Sequence, residues 1–423
     1  MSFGALSLLS IAIAAVAVLR LRPSLCIFAG NQIGVLRALD HVEQFGQPRS
    51  QGFLPPSVFS LENLAVARTL FLGSTLLLAA AVLWPAPRRQ QRERLPALPR
   101  FILWGLLAYF AALIFSQKTI LTNAYTDPDR VLYGLNLSGG HAFLAAIFLY
   151  EMARRALTGE LSRPRAFGAV LLLFLCTDYL KGSTGLATGF LVVAAFLILG
   201  GEPRPLRRWA SLGAAVAALV LISITVRGVR ATLWQEGSQS ISSLQETLSN
   251  EEERVSRTGE GLEIFGNGVQ YAAHVLECVE LYEAGISREW RSVYLPALYT
   301  LQPKFVMILL DLERPKEAAW ELADYYIHGG GIYVLGELYW NGGFLCAFTV
   351  FAALLAFCFF CDTRWQTSFV WLLLVCEFAP NTLQGIGYGF AQVSRGIFNG
   401  LIALGCYFVW RRLRRPSLRE SHA

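Results

Sequence analysis

Eleven apolar runs divide this chain, near residues 3–19, 23–40, 61–84, 100–116, 134–153, 165–181, 184–201, 206–226, 332–361, 366–382 and 395–411. Most are long enough to cross a bilayer as a helix. A chain in lipid has no water to satisfy its peptide groups, so such runs must fold as helices that bond to themselves. The expectation is an all-α, polytopic integral membrane protein with about 11 transmembrane helices. Composition agrees: 54% of the residues are hydrophobic and only 16% charged, which excludes an ordinary soluble enzyme. The second run is interrupted by Asn31, Gln32 and Arg37. The first lacks a basic leader and reads as a retained helix.

Arginine placement sets the orientation. Basic breaks occur at Arg20 and Arg22, in 88–100, 154–165 and 204–208, and in the tail at 411–415. With eleven spans, all of them fall on one side. That side reads as the cytoplasm, with the N-terminus outside and the C-terminus inside. The four lysines, Lys118, Lys181, Lys304 and Lys316, then lie outside. The expected organisation is a bundle of about eight helices (1–226), a large outer loop (227–331), and a bundle of about three helices with a short basic tail (332–423).

The large loop has the opposite charge. Its 16 acidic and 9 basic residues, counted over 227–330, give −7, against +6 for the whole chain. Ile241, Leu244, Leu248 and Val255 recur at helical spacing, as do Val269, Ala272, Leu276 and Val279. The loop should therefore be mostly helical. Residues 293–312 are apolar, but Pro296, Pro303 and Lys304 interrupt them. This stretch reads as re-entrant or lying in the interface. A second outer loop is expected at 381–395, rich in glycine, amides and aromatic rings. Seven of the eight cysteines fall in or beside apolar runs, and no Cys/His spacing suits zinc, so neither a disulfide framework nor a metal site is expected.

Residues 328–344, HGGGIYVLGELYWNGGF, combine glycines, a carboxylate, an amide and aromatic rings at the mouth of the ninth run. A carboxylate there is costly to desolvate and is a functional candidate. Tyr333, Glu337 and Asn341 are spaced four apart and share one helical face.

Together with Tyr294, Pro296, Pro303 and Lys304 upstream, Glu337, Tyr339, Asn341 and Gly343 form a stretch that resembles the E-x-Y-x-N-F-G sequence of Wzy-type oligosaccharide repeat-unit polymerases, relatives of O-antigen polymerases and ligases. Gly342 stands where phenylalanine is usual. A second echo is Leu-Lys-Gly-Ser-Thr-Gly at 180–185, where the family often has a Gly-Ser-Arg-Gly-like turn. Here Thr184 takes the arginine's place and the nearest cation is Lys181. The resemblance covers roughly residues 285–360. It implies a GT-C-like glycosyltransferase of the bacterial inner membrane, with the N-terminus and large loop periplasmic and the C-terminus cytoplasmic, that joins oligosaccharide repeats carried on undecaprenyl diphosphate, donor and acceptor being the same kind of lipid-linked unit. It also implies a chain-length regulator and a flippase as partners. A ligase of the same superfamily is the alternative, and a lipid-linked glycan transporter a further one.

Such a transfer builds negative charge on the departing diphosphate, which cations must meet. Arg227, Arg230, Arg288, Lys304 and Lys181 are the candidates for that role. Glu337 and His328 are the candidate bases for the acceptor hydroxyl, with Arg291 beside them as a third catalytic candidate. Tyr333, Tyr339, Trp340, Asn341, Tyr388, Gln392 and Arg395 are candidates for holding sugar. No cofactor and no metal is called for, because the sequence lacks a convincing aspartate pair for Mg²⁺ beside a diphosphate.

Overall fold

Among the described residues, each of the eleven apolar runs is helical over most of its length. The computed structural model describes residues 1–45, 56–86, 95–115, 138–179, 184–202, 204–235, 267–288, 318–326, 332–385 and 389–413. Within them lie α1 (Phe3–Leu19), α2 (Pro23–Phe45), α3 (Leu61–Leu83), α4 (Arg100–Phe115), α5 (Ser138–Thr158), α6 (Arg163–Phe174), α7 (Thr184–Ala194) and α8 (Pro205–Gln235). They continue as α9 (Asn267–Glu283), α10 (Ala318–Leu322), α11 (Val334–Arg364), α12 (Phe369–Gly385) and α13 (Phe390–Leu413). No strand occurs among the described residues. Two of the helices, α3 and α11, are long and apolar enough to cross a membrane, and shorter apolar helices include α1 and parts of α4 and α12.

Local chemistry sets several helix starts. The Ser2 hydroxyl accepts from the Ala5 N–H at the head of α1, and the Ser60 hydroxyl accepts from the Asn63 N–H at the head of α3. Helix α6 runs into a π-helical turn at Leu175–Tyr179, and α7 into another at Ala195–Leu199. Periodicity cannot show such insertions, because one extra residue per turn barely disturbs an apolar run. The expected outer loop at 381–395 is corrected. Helix α12 continues through Pro380 to Gly385, and α13 begins at Phe390. Glycines and amides read as a loop, but α12 and α13 pack along each other extensively and that packing overrides local propensity.

One hydrophobic core runs through all three predicted segments. Ala272, Val275, Leu276 and Val279 of α9 join residues of α1–α3 and of α11–α13 in it. Three of these are members of the 3.6-residue pattern read from the sequence. Helix α9 packs on α2, α3 and α11, while α12 is central, touching α2, α5, α7, α11 and α13. Glu377, fully buried, lies on that central helix.

The basic end of the bundle is locked by side chains that cap helix termini. Asp362, near the end of α11, accepts from the N–H groups of Ser24 and Leu25 at the start of α2, at 3.1 and 3.0 Å. Arg22 donates to the carbonyls of Ala81, Val82 and Trp84 at the end of α3, at 2.6–2.8 Å. These bonds satisfy orphan peptide groups that no helix can satisfy for itself. Asp362→Ala is expected to cost about 1–3 kcal/mol, since it strands two buried donors. Thermal unfolding in detergent measures this, and an unchanged transition would show the cap to be dispensable.

Candidate functional site

Helix α11 opens with the candidate stretch, and glycine breaks it after two turns. Gly342 and Gly343 leave helical geometry, Gly343 with φ 65° and ψ −158°. That conformation is essentially reserved for glycine. A β-carbon at Gly343 would also lie 2.6 Å from the Tyr282 hydroxyl. The break separates an outer arm, 334–341, from a straight arm, 344–364. At 1.5 Å per residue the straight arm is about 31 Å long, close to the thickness of bilayer hydrocarbon.

The outer arm clasps the end of α9. Gly285, with φ 79°, turns the chain out of that helix, so that residues 286–288 run back along α11. Arg288 is the hub. Its Nη1 donates to Glu337 Oε1 at 3.0 Å and to Asn341 Oδ1 at 3.3 Å. Its Nε donates to Glu321 Oε2 on α10. The guanidinium also lies over the Trp340 ring, 5.4 Å from its centroid, a favourable cation–π placement. Trp340 Nε1 in turn donates to the Ile286 carbonyl at 2.7 Å. The hydroxyl of Tyr339 donates to Glu283 Oε1 at 2.6 Å. Each polar residue of the outer arm is thus tied to the segment 283–288.

Glu337 is 3% exposed, and both of its oxygens are engaged. Oε1 takes Arg288, and Oε2 accepts the Phe390 N–H at 2.5 Å, at the start of α13. Gly389, φ 92°, makes that approach possible, because a β-carbon there would sit 2.5 Å from Glu337 Oε2. Glu337 therefore joins α9, α11 and α13. The sequence assigns Arg288 to the diphosphate and Glu337 to proton transfer. The structure pairs them with each other, and Glu321 supplies a second carboxylate to the same guanidinium. Among the described residues, two carboxylates thus share this one guanidinium.

Three further carboxylates follow along α9, and each meets a ring. Glu277 Oε2 lies 2.6 Å from His274 Nδ1, and Glu280 accepts from the Tyr326 hydroxyl at 2.8 Å. Glu283 accepts from Tyr339, as above. Burial and the bond to Glu280 push the Tyr326 phenol up from its ordinary value. Burial, reinforced by the Glu277 and Glu337 charges, pushes the Cys278 thiol up in the same way. Sequence reading missed these carboxylates. Their spacing of three, at 277, 280 and 283, was the available signal.

The other candidates divide as follows. Tyr333 is fully buried, stacked between Phe71 and Tyr271 at 5.8 and 6.5 Å, and Trp340 is 1% exposed. Neither ring presents a free face to a sugar in this arrangement. Tyr333 shares the spacing of Glu337 and Asn341, yet Arg288 joins only the latter two. Arg227 and Arg230 lie in the last turns of α8, and Gln392 and Arg395 in the first turns of α13. His328, Arg291, Lys304, Lys181 and Tyr388 lie outside the described residues, as do residues 293–312 and the pattern beginning at Ile241. Among the described residues no group of His, Cys, Asp and Glu is arranged to hold a metal ion. Compared with protein-family models, with curated proteins and with solved structures, the chain has no match.

Proposed function

We propose that this chain is an eleven-span, GT-C-like inner-membrane enzyme that polymerises oligosaccharide repeats carried on undecaprenyl diphosphate, at the outer face of the membrane. The observation that carries the reading is the clasp. Glu337, Tyr339 and Asn341, the residues of the polymerase-like stretch, all bond to residues 283–288, and they do so where a bilayer-length arm of α11 begins. The outward-facing residues support a lipid setting. Leu8, Leu76, Trp104, Leu172, Leu221, Leu345 and Leu401 are all exposed, each on a different helix, whereas a water-soluble bundle turns such a ring of side chains inward.

In the proposed reaction the acceptor hydroxyl attacks the anomeric carbon of the donor. The C–O bond to the diphosphate breaks, and its electron pair leaves with the diphosphate. Charge on that leaving group must be met by cations. Arg288 already bonds two carboxylates, so the proposal gives that role to Arg227, Arg230, Arg291, Lys304 and Lys181.

The test is lipid-linked glycan profiling of a deletion strain, complemented with the native chain or with Arg291→Ala. Single repeats on the carrier should accumulate in the deletion strain and disappear on complementation, while Arg291→Ala should restore little polymer. Finished polymer stranded on the carrier would point to a ligase instead. An unchanged profile would overturn the reading.

A further inference from the structure

We infer that Glu283, on the loop helix α9, is the carboxylate that takes the proton of the acceptor hydroxyl, a role for which the sequence offers Glu337 and His328. The inference rests on the polymerase reading and deepens it. A general base must reach its substrate and must keep an oxygen available for the incoming proton. Five carboxylates are bonded into the cluster among the described residues, and Glu283 alone of the five is exposed. Glu337 is buried with both oxygens engaged. Glu277 is fully buried against His274. Glu280 is partly covered and holds Tyr326. Glu321 is tied to Arg288.

Glu283 is exposed, and the bond from Tyr339 occupies one oxygen, Oε1. That bond orients the carboxylate rather than hiding it. The Tyr339 ring is itself fixed edge-on by Tyr282 at 4.9 Å and by Phe344 at 5.0 Å, so its hydroxyl has little freedom. The second anchor is the turn at Gly285, which ends α9 two residues later and is held by Ile286 N–H donating to the Leu281 carbonyl at 2.9 Å. The tyrosine of the polymerase-like stretch thereby gains a purpose as a positioning residue for a carboxylate on another helix. In the step itself, the hydroxyl oxygen bonds to the anomeric carbon, the diphosphate departs with the electron pair, and the proton passes to Glu283.

The experiment uses the full chain in nanodiscs with a lipid-diphosphate-linked repeat unit, following the oligomer ladder. Glu283→Gln should lower kcat by about 10²–10⁴-fold, with KM and thermal unfolding unchanged, and Glu283→Asp should restore part of the rate. Tyr339→Phe should lower kcat with KM unchanged. If the native chain builds a ladder and Glu283→Gln builds it equally fast, the inference fails and the polymerase reading stands. If the native chain builds no ladder, the polymerase reading fails and takes this inference with it.

Discussion

Replacing Arg288 by alanine is expected to destabilise the protein by about 3–5 kcal/mol, the usual consequence of removing one partner from a buried ion pair. The reason lies in what stays behind. Glu337 keeps its bond to the Phe390 N–H but loses the arginine, and the Glu321 carboxylate loses the same one. The arginine side chain is 2% exposed, so water cannot readily replace it. Trp340 also loses the charge over its ring. Urea or thermal unfolding of the detergent-solubilised variant measures the cost. The double variant Arg288→Ala with Glu337→Gln should lose less than the sum of the two single variants, with a coupling of about 0.5–3 kcal/mol. Strict additivity would show that the two side chains are not energetically joined.

The second large effect is expected at Gly343. Its φ and ψ lie where a residue with a β-carbon costs about 1–3 kcal/mol in backbone strain alone, and the added carbon would also press on the Tyr282 hydroxyl. Gly343→Ala should therefore either destabilise the protein or straighten α11. A straightened helix would turn Glu337 and Asn341 away from Arg288. A disulfide or spin-label distance between α9 and the outer arm reads this directly. Gly342→Ala is a milder contrast, because its φ of −180° carries no left-handed strain and its added β-carbon would meet only the Cys346 side chain, at 3.0 Å. If Gly343→Ala left both the distance and the stability untouched, the break would have no part in holding the site.

Much of the fold was legible because lipid leaves a chain so few options. Apolar runs must be helices, and the predicted α3, at 61–84, differs from the observed Leu61–Leu83 by a single residue. The Val269, Ala272, Leu276 and Val279 spacing likewise announced α9. What the sequence hid were pairings between distant segments. Arg288 and Glu337 were both singled out, but as partners of substrate and never of each other, since 49 residues separate them. Asp362 escaped notice because a lone aspartate at the end of an apolar run looks like a boundary marker. Its actual work, holding the start of α2, depends on a neighbour 337 residues away. Glu283 escaped for a different reason, as one carboxylate among the sixteen of an acidic loop. Only the Tyr339 hydroxyl sets it apart.

The interruption at Gly342 and Gly343 also resets the phase of α11. Residues on either side of it no longer belong to one continuous stripe, so a substitution among 344–364 that suits a different lipid need not rotate 334–341. The long apolar arm and the polar arm that holds the cluster can thus diverge separately, with the two glycines marking the boundary between them.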